Sequence, residues 1–335
     1  MNYSNAVTAV ESARKILITT HIRPDGDAIG SAVALRRAIC TKASGRERNP
    51  SVEILFLGEV PQVYQFIATE PVLLWGREVT EEQVQAGRLE EYDLIIVVDT
   101  SAIRQLPGIG EYLQKRQKGV LVIDHHLSGD GIGHIRLIDT GACAAGELVY
   151  GLIRQAGWPL DKTAAAAVMT AIGTDTGWFR FENASAKAFR IATELIEAGI
   201  AADDIYQQIY LSDPPERLRL LGMVLETLEI LCGGRLSLIH ITRDMLNRSG
   251  AKRSHIENIV NVPQQIGSVI AVALLVEEED GGTRCSLRSK SLVDVNAVAR
   301  QFGGGGHARA AGLTIPEGLP AAKAKILAAL SRELE

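Results

Sequence analysis

The feature that most constrains the fold is an apolar run that passes directly into an acid and two histidines. Residues 119–123 have the composition of a buried strand, and Asp124-His125-His126 follow at once. Asp and His are poor strand formers, so strand structure alone does not explain them. Both are ligands for divalent metal ions. The pattern predicts a functional site at the tip of this strand.

Further apolar runs alternate with helical patterns in the first half of the chain. Residues 15–20, 52–57 and 93–98 are near-continuous apolar runs, which are typical of strands in a buried parallel sheet. Residues 28–40 have helical periodicity. The alternation predicts an α/β domain, a parallel sheet with helices on both faces. Ligands of such sheets bind beyond the carboxyl ends of the strands.

The pattern changes twice along the chain. A mainly helical stretch is broken near Pro214, and short strands, a short helix and a glycine run follow it. We therefore expect an N-terminal catalytic domain over residues 1–185, a helical linker over 186–221, and a smaller C-terminal α/β domain for substrate binding over 222–335.

Four segments that end strands or helices carry acids and histidines. The candidate metal ligands are His21, Asp25, Asp27, Asp99, His125 and Asp175. Four carboxylates and two imidazoles suit Mn²⁺, Mg²⁺ or Co²⁺, and they lack the thiolates of structural zinc sites. Six ligands suit two ions that lie roughly 3.5–4 Å apart and share a carboxylate. Such a pair of ions activates water for attack on phosphorus. The set predicts hydrolysis of a phosphoester or phosphoanhydride.

Single residues of this set also have ordinary structural explanations. The first three stand on a loop that Pro24 and Gly26 mark as irregular. Asp99 fits a helix N-cap, and Asp175 fits a turn that stops a helix. The presence of all four segments in one chain favours the metal site.

The C-terminal half has its own phosphate-binding pattern. Its candidate substrate-binding residues are Arg284, Arg288, Gly304, Gly305, Gly306, His307 and Arg309. Glycines let backbone amides approach an anion, and the two arginines at i, i+4 share one face of a predicted strand. A flexible linker and a solvated strand face are the alternatives. Because Phe302 and Ala310-Ala311 flank the glycines, we expect a shaped turn.

Composition narrows the class of function. The net charge of −5 argues against a protein that binds long duplexes. No apolar run reaches the roughly 18–20 residues that span a bilayer, and the N-terminus lacks a signal pattern. The four cysteines are far apart in sequence. We expect a cytoplasmic protein without a membrane partner.

The motifs, taken together, resemble a known family. The stretches that begin at His21, Val98, Asp124 and Gly173 are similar to the four motifs of the DHH phosphoesterases. Residues 303–312, Gly-Gly-Gly-Gly-His-Ala-Arg-Ala-Ala-Gly, resemble the glycine-rich motif of the associated DHHA1 domain. Size and domain pairing look most like the NrnA-type oligoribonucleases, which also remove the 3′-phosphate of pAp (3′-phosphoadenosine 5′-phosphate).

The resemblance implies a role for each motif residue. His21 and Asp25 would hold one metal ion, and Asp27, His125 and Asp175 the other. Asp99 would bridge the two ions, which we expect to be Mn²⁺. His126 would contact the scissile phosphate, and Asp124 would orient the histidines. Arg309 stands two residues after His307, a trivial departure from the family pattern. A homodimer is compatible with this group.

The expected function is two-metal hydrolysis of very short oligonucleotides to mononucleotides, with pAp as a second substrate. The enzymatic alternative is a phosphodiesterase for cyclic di-AMP or linear pApA in nucleotide signalling. Inorganic pyrophosphatase is less favoured, because the glycine-rich turn is not expected there. A nucleotide-binding regulatory module predicts a missing ligand position, and all six positions are filled.

Overall fold

The computed structural model describes residues 2–43, 50–290 and 293–334. The chain divides into two compact units, Met1–Ser212 and Asp213–Glu335. The first unit contains α1 (Ser4–Ser12), β1 (Lys15–Thr19), α2 (Gly26–Ala43), β2 (Ser51–Phe56), β3 (Leu73–Leu74), α3 (Glu81–Gln85), β4 (Leu94–Val98), α4 (Gly110–Lys115), β5 (Val120–Asp124), β6 (Ile135–Ile138), α5 (Ala145–Gln155), α6 (Lys162–Asp175), α7 (Ala186–Glu197) and α8 (Ala202–Tyr210). The second contains α9 (Pro215–Glu226), β7 (Glu229–Leu231), β8 (Leu236–Ile241), α10 (Arg243–Ser249), β9 (Ala271–Glu277), β10 (Thr283–Ser289), α11 (Val295–Arg300), β11 (Gly305–His307), β12 (Ala310–Ile315) and α12 (Leu319–Leu334).

The first unit is built on a six-stranded parallel sheet in the order β3-β2-β1-β4-β5-β6. Alternate strand residues enter two different cores. Ile16 and Ile18 pack with α2, α5 and α6, whereas Leu17 and Ile95 pack with α3 and α4 on the other face. The predicted parallel sheet with helices on both faces is confirmed. The strand order reverses between β1 and β4, which is where such sheets bind ligands.

Three local predictions differ from the structure. Asp27 lies in the first turn of α2 and not on a loop, because Asp25 accepts the first helical amides and starts the helix there. Asp175 is the last residue of α6, so the helix extends to the middle of the turn predicted at residues 173–177. Strand β6 was not predicted because it is an edge strand. Its polar Arg136 interrupts the apolar pattern, and Leu137 is its one buried residue.

The second unit holds a mixed sheet in the order β11-β12-β10-β9-β8-β7. Strands β8 and β9 are parallel, and the other pairs are antiparallel. Helices α11 and α12 cover one face, and α9 and α10 cover the β8–β9 part of the other. The predicted smaller α/β domain is confirmed. Its boundary at 221 and the boundary at 185 remain predictions; the residues between them form α7, α8 and the first part of α9.

None of the helices within the described residues is both long enough and apolar enough to cross a bilayer.

Candidate metal centre

Three neighbouring strands carry site residues at their carboxyl ends. His21 follows β1, Asp99 follows β4 directly, and Asp124 ends β5. Because β1, β4 and β5 are adjacent in the sheet, residues that are far apart in sequence meet at one edge. The same edge is the ligand-binding edge of parallel sheets.

Close helix packing brings the remaining carboxylates to this edge. A Cβ on Gly30 of α2 would lie 2.4 Å from the carbonyl oxygen of Ala167 in α6. A Cβ on Gly26 would lie 2.5 Å from the side chain of Thr174. Only residues without side chains fit at these two contacts. The approach of α2 and α6 sets Asp27, at the start of α2, near Asp175, at the end of α6.

The first group of candidate ligands contains His21, Asp25 and Asp99. His21 Nε2 lies 3.3 Å from Asp99 Oδ2 and 4.0 Å from Asp25 Oδ1. The other ring nitrogen, Nδ1, lies 2.9 Å from the carbonyl oxygen of Ile22, to which it donates. This bond orients the ring so that Nε2, the nitrogen that a metal ion would bind, faces the carboxylates.

The second group contains Asp27, His125 and Asp175. His125 Nε2 lies 3.7 Å from Asp27 Oδ2, 3.8 Å from Asp175 Oδ2 and 3.5 Å from Asp99 Oδ1. Its Nδ1 lies 3.3 Å from the carbonyl oxygen of Ala142. Asp99 thus faces both groups, with one carboxylate oxygen toward each histidine.

Asp99 is held in an unusual conformation. Its φ of 61° is left-handed, a region that residues other than glycine seldom adopt. The side chain is 3% exposed, and its Oδ1 is buried without a hydrogen-bond partner among the described residues. A buried carboxylate oxygen without a donor is costly in a protein interior. A cation bound beside His125, which faces this oxygen, would satisfy it.

The electrostatics of the cluster also favour bound cations. Burial lowers the pKa of His21 and His125, but the neighbouring carboxylates, Asp99 foremost, together outweigh burial and raise the pKa values to about 9 and about 10. Burial, with Asp99 close by, raises the pKa of Asp175 to about 6. The same two causes raise the pKa of Asp27 well above its ordinary value. Carboxylates that repel one another in a buried site are stabilised by positive charge.

His126 is oriented differently from the other two histidines. Its Nδ1 donates to Asp124 Oδ1 over 2.8 Å, and the same oxygen accepts the backbone amide of His126. This bond to Asp124 raises the pKa of His126. Asp99, His125 and His126 also form a third group whose ligand atoms lie close enough together to hold a metal ion. The ring is therefore a positioned hydrogen-bond donor beside the candidate metal ligands.

Comparisons with known proteins identify the architecture. Residues 15–172 match the DHH family N-terminal domain, and residues 239–335 match the DHHA1 domain. A bifunctional oligoribonuclease and PAP phosphatase NrnA from Thermus thermophilus is 32% identical over 95% of this chain and 90% of its own. The chain belongs to the DHH phosphoesterase family. Its members are hydrolases, and this DHH protein is an enzyme of that class.

Two further relatives agree with this assignment. An NrnA with the same description from Bacillus subtilis is 28% identical over 90% of this chain and 89% of its own. The crystal structure of an exopolyphosphatase-related protein from Bacteroides fragilis has a TM-score of 0.89 and 26% identity, covering 98% of this chain and 95% of that one. The likeness extends through both units of the DHH protein.

The glycine run of the DHHA1 domain forms a shaped hairpin and not a linker. Strand β11 pairs with β12, so that Gly306 lies opposite Ala311 and His307 opposite Ala310. A Cβ on Gly306 would lie 2.4 Å from the carbonyl oxygen of Ala310. The backbone approach therefore requires glycine at this position.

Arg288 and His307 lie in one row across the face of the DHHA1 sheet opposite to α11 and α12. Arg288 of β10 is opposite Ala310 of β12, which is opposite His307 of β11. Directly opposed residues of antiparallel strands point to the same side. Arg288 Nε donates to Asn261 Oδ1 over 3.2 Å. Arg284 lies on the same face of β10, where it pairs with Glu278 over 3.4 Å.

Sequence reasoning missed two side chains that support the centre. Asn183 Nδ2 donates to the carbonyl oxygens of Asp175 and Cys143, over 3.2 and 3.0 Å. Glu147, which is 3% exposed, accepts the amide of Cys143 and pairs with Lys187. Both fix the chain next to Ala142, whose carbonyl holds His125. The one signal available in the sequence was the acid Glu147 in the first turn of a predicted amphipathic helix.

The residues present fit a pair of divalent cations. The donors are carboxylates and imidazole Nε2 atoms, the two histidine tautomers are set by carbonyl acceptors, and one buried carboxylate oxygen lacks a donor. These are the ligands that hard and intermediate divalent ions prefer. The DHH domain thus contains a candidate divalent-metal site.

Proposed function

We propose that the protein is a two-metal phosphodiesterase that hydrolyses very short oligonucleotides to mononucleotides and removes the 3′-phosphate of pAp. The observation that carries this proposal is the position of Asp99 between two groups of candidate ligands. The names of the similar proteins, which are oligoribonucleases and PAP phosphatases, support the choice of substrate.

The proposed ligand sets follow the two groups. His21 and Asp25 would hold one ion, Asp27, His125 and Asp175 the other, and Asp99 both. Bound ions there would stabilise the charge that develops on the phosphate and lower the pKa of a water molecule. The chain itself holds the ligands in place through the acceptors at Ile22 and Ala142 and the amides at the start of α5.

Two residues beside the ligands have proposed roles of their own. His126 would donate a hydrogen bond to the scissile phosphate, because Asp124 orients its ring and raises its pKa. An imidazole held in this way stabilises a phosphate without needing to reorganise during the reaction. Asp124, which is fully buried, acts through His126 and is a positioning residue.

The open face of the DHHA1 sheet is the proposed substrate-binding surface. The residues assigned to it are Arg284, Arg288, Gly304, Gly305, Gly306, His307 and Arg309. Helices α9 and α10 cover the β8–β9 part of this face, whereas Arg284 and Gly312 point outward from β10 and β12. Guanidinium groups and bare amides together suit a phosphate.

The remaining proposals concern the setting of the reaction. We take Mn²⁺ as the metal ion of the reaction, since carboxylates and imidazoles bind it and leave coordination positions open.

The composition supports the proposed location and substrate length. The four cysteines are free thiols, which supports a reducing cytoplasm. The net charge of −5 supports short substrates over long duplexes. A homodimer is part of the proposal by likeness to the family.

Product analysis tests the substrate. Metal-free protein supplied with Mn²⁺ is offered pApA, cyclic di-AMP and pAp in parallel, and AMP is quantified by chromatography. We expect AMP from pApA faster than from cyclic di-AMP, and AMP with inorganic phosphate from pAp. Turnover mainly of cyclic di-AMP would replace the proposal with a signalling role. Manganese bound without turnover of any substrate would contradict it and favour a binding module.

A further inference from the structure

Three successive residues after Asp175 have left-handed backbones. The φ angles of Gly177, Trp178 and Phe179 are 55°, 59° and 62°. Such angles are rare for aromatic residues, and strained backbone of this kind concentrates at functional sites. The left-handed turn ends α6 and reverses the chain directly beside a candidate metal ligand.

The segment that follows folds back onto Thr176 and Asp175. The amides of Arg180 and Phe181 both donate to the carbonyl oxygen of Thr176 over 3.0 Å. At the far end, Asn183 Nδ2 donates to the carbonyl oxygen of Asp175 over 3.2 Å and lies 3.5 Å from its Oδ2. Residues 176–183 are therefore a compact turn anchored on the candidate metal centre. We call this segment the aromatic turn.

The aromatic turn leaves one ring open to solvent. Trp178 packs against Gly173 of α6 and stands 5.4 Å from the ring of Tyr206. Phe179 stands 5.1 Å from Phe189. Phe181, by contrast, is 55% exposed as a residue.

Phe181 is exposed but held. A Cβ on Gly177 would lie 2.4 Å from the Phe181 ring, so the ring rests directly on the backbone of Gly177. That backbone is two residues from Asp175. The protein thus fixes a flat apolar surface in water, on a turn that begins directly after the candidate ligand Asp175.

Arg180 adds a cation to the same turn. Its Nε donates to the carbonyl oxygen of Gly177 over 2.7 Å, and the residue is exposed. Within the described parts of the chain, Arg180 makes no ion pair. An exposed ring beside an unneutralised guanidinium matches a nucleotide, which offers an aromatic face and a phosphate.

We propose that Phe181 is a base-stacking residue of the catalytic domain, and that Arg180 pairs with a phosphate of the same bound oligonucleotide. This inference rests on the proposed function and adds a nucleobase subsite to it. A ring accepts any base by stacking, so the subsite gives affinity without sequence preference. It also explains why the apolar side chain of Phe181 is exposed to solvent.

The test compares variants at position 181 with the Mn²⁺-loaded protein. Phe181→Ala and Phe181→Leu should lower kcat/KM for a dinucleotide by roughly 10-fold, within the range of one lost stacking contact. Phe181→Trp should retain at least half of the wild-type value. Ile196→Ala, which truncates another exposed apolar side chain in this unit, should change nothing. Thermal unfolding of all four variants checks that they fold.

A substrate without a base separates stacking from a general structural effect. In a dinucleotide analogue with a tetrahydrofuran in place of one nucleoside, the Phe181→Ala defect should shrink to less than twofold. Calorimetry with an uncleavable methylphosphonate dinucleotide should show the same loss in affinity. An equal defect on both substrates, or none on either, would overturn the stacking role. Failure of the wild type to cleave the dinucleotide would instead overturn the proposed function.

Discussion

The carboxylate of Asp27 lies at the amino end of α5, with Oδ2 2.6 Å from the amide nitrogen of Ala145. Its Oδ1 accepts hydrogen bonds from Gly146 and Ser31. The same carboxylate stands 3.7 Å from His125 Nε2. A helix N-terminus stabilises negative charge. The fold therefore fixes this carboxylate in place and favours its ionisation, which the neighbouring carboxylates oppose.

Metal should stabilise the protein through Asp175. Mn²⁺ binding to the native state should raise the melting temperature of metal-free wild type by mass action. Asp175→Asn should reduce that rise, because it removes a ligand of one of the two proposed ions, and it should not destabilise the metal-free protein, since burial already disfavours the charge of Asp175. Differential scanning fluorimetry with and without Mn²⁺ checks both, with the exposed Glu197→Gln as control. An undiminished Mn²⁺ effect in Asp175→Asn would remove this residue from the site.

Replacing Asp99 should abolish turnover. Asp99→Asn should lower kcat by at least about 10³-fold, because loss of a shared metal ligand removes several kcal/mol of charge stabilisation. The matched control is Asp93→Asn at the opposite end of β4. Asp93 accepts the amides of Arg14 and Lys15, so its loss should affect stability and leave kcat within about twofold. Steady-state assays on pApA distinguish the two, and an active Asp99→Asn would refute the bridging role.

His126 and Asp124 should behave as one unit. Asp124→Asn should lower kcat by roughly 10- to 100-fold with little change in KM, as expected for the loss of an orienting partner. His126→Ala should cost at least as much. The double variant should be no worse than His126→Ala, because Asp124 acts through that ring. Additive losses in this cycle would show that Asp124 acts elsewhere.

The DHHA1 surface should contribute mainly to binding. Arg288→Ala should raise KM for pApA by roughly 10-fold, because the loss of a hydrogen bond to a charged group weakens binding by about this factor. The kcat should change little. Arg300→Ala removes an exposed arginine from α11 of the same domain and serves as the control. Equal kinetics for the two variants would argue against the proposed surface.

Asp161 should stabilise the catalytic domain in a pH-dependent way. It caps α6 and pairs with Arg37, and these contacts outweigh burial to lower its pKa. Asp161→Ala should cost about 1–2 kcal/mol at pH 7. Because the folded pKa is lowered, the contribution of its charge is present above about pH 4 and lost below it. Urea unfolding should give a higher free energy of unfolding for wild type than for Asp161→Asn at pH 7, and a smaller difference at pH 3. A difference that does not change with pH would contradict this.

Much of the catalytic domain was predictable because its strands are buried on both faces. Continuous apolar runs identify β1, β4 and β5, and the acids and histidines that follow them meet for topological reasons. Edge strands such as β6 and β11 carry polar residues or glycines, and their pairing depends on partners elsewhere in the chain. Local pattern therefore could not identify them.

The supporting contacts of the centre were not predictable from local pattern. Asp27 is fixed by amides that lie more than a hundred residues later in sequence, and Asn183 acts through two backbone carbonyls. Nor does any pattern reveal the left-handed backbone of Trp178 and Phe179, since sequence alone favours glycine in that region. Such features depend on tertiary packing.

The central claim is that two cations share Asp99, and anomalous diffraction at the manganese edge tests it most directly. Crystals of the protein grown with Mn²⁺ should show two anomalous peaks in the catalytic domain. One peak should lie among His21, Asp25 and Asp99, and the other among Asp27, His125 and Asp175, with Asp99 in contact with both. A single peak, or peaks away from Asp99, would contradict the two-metal account.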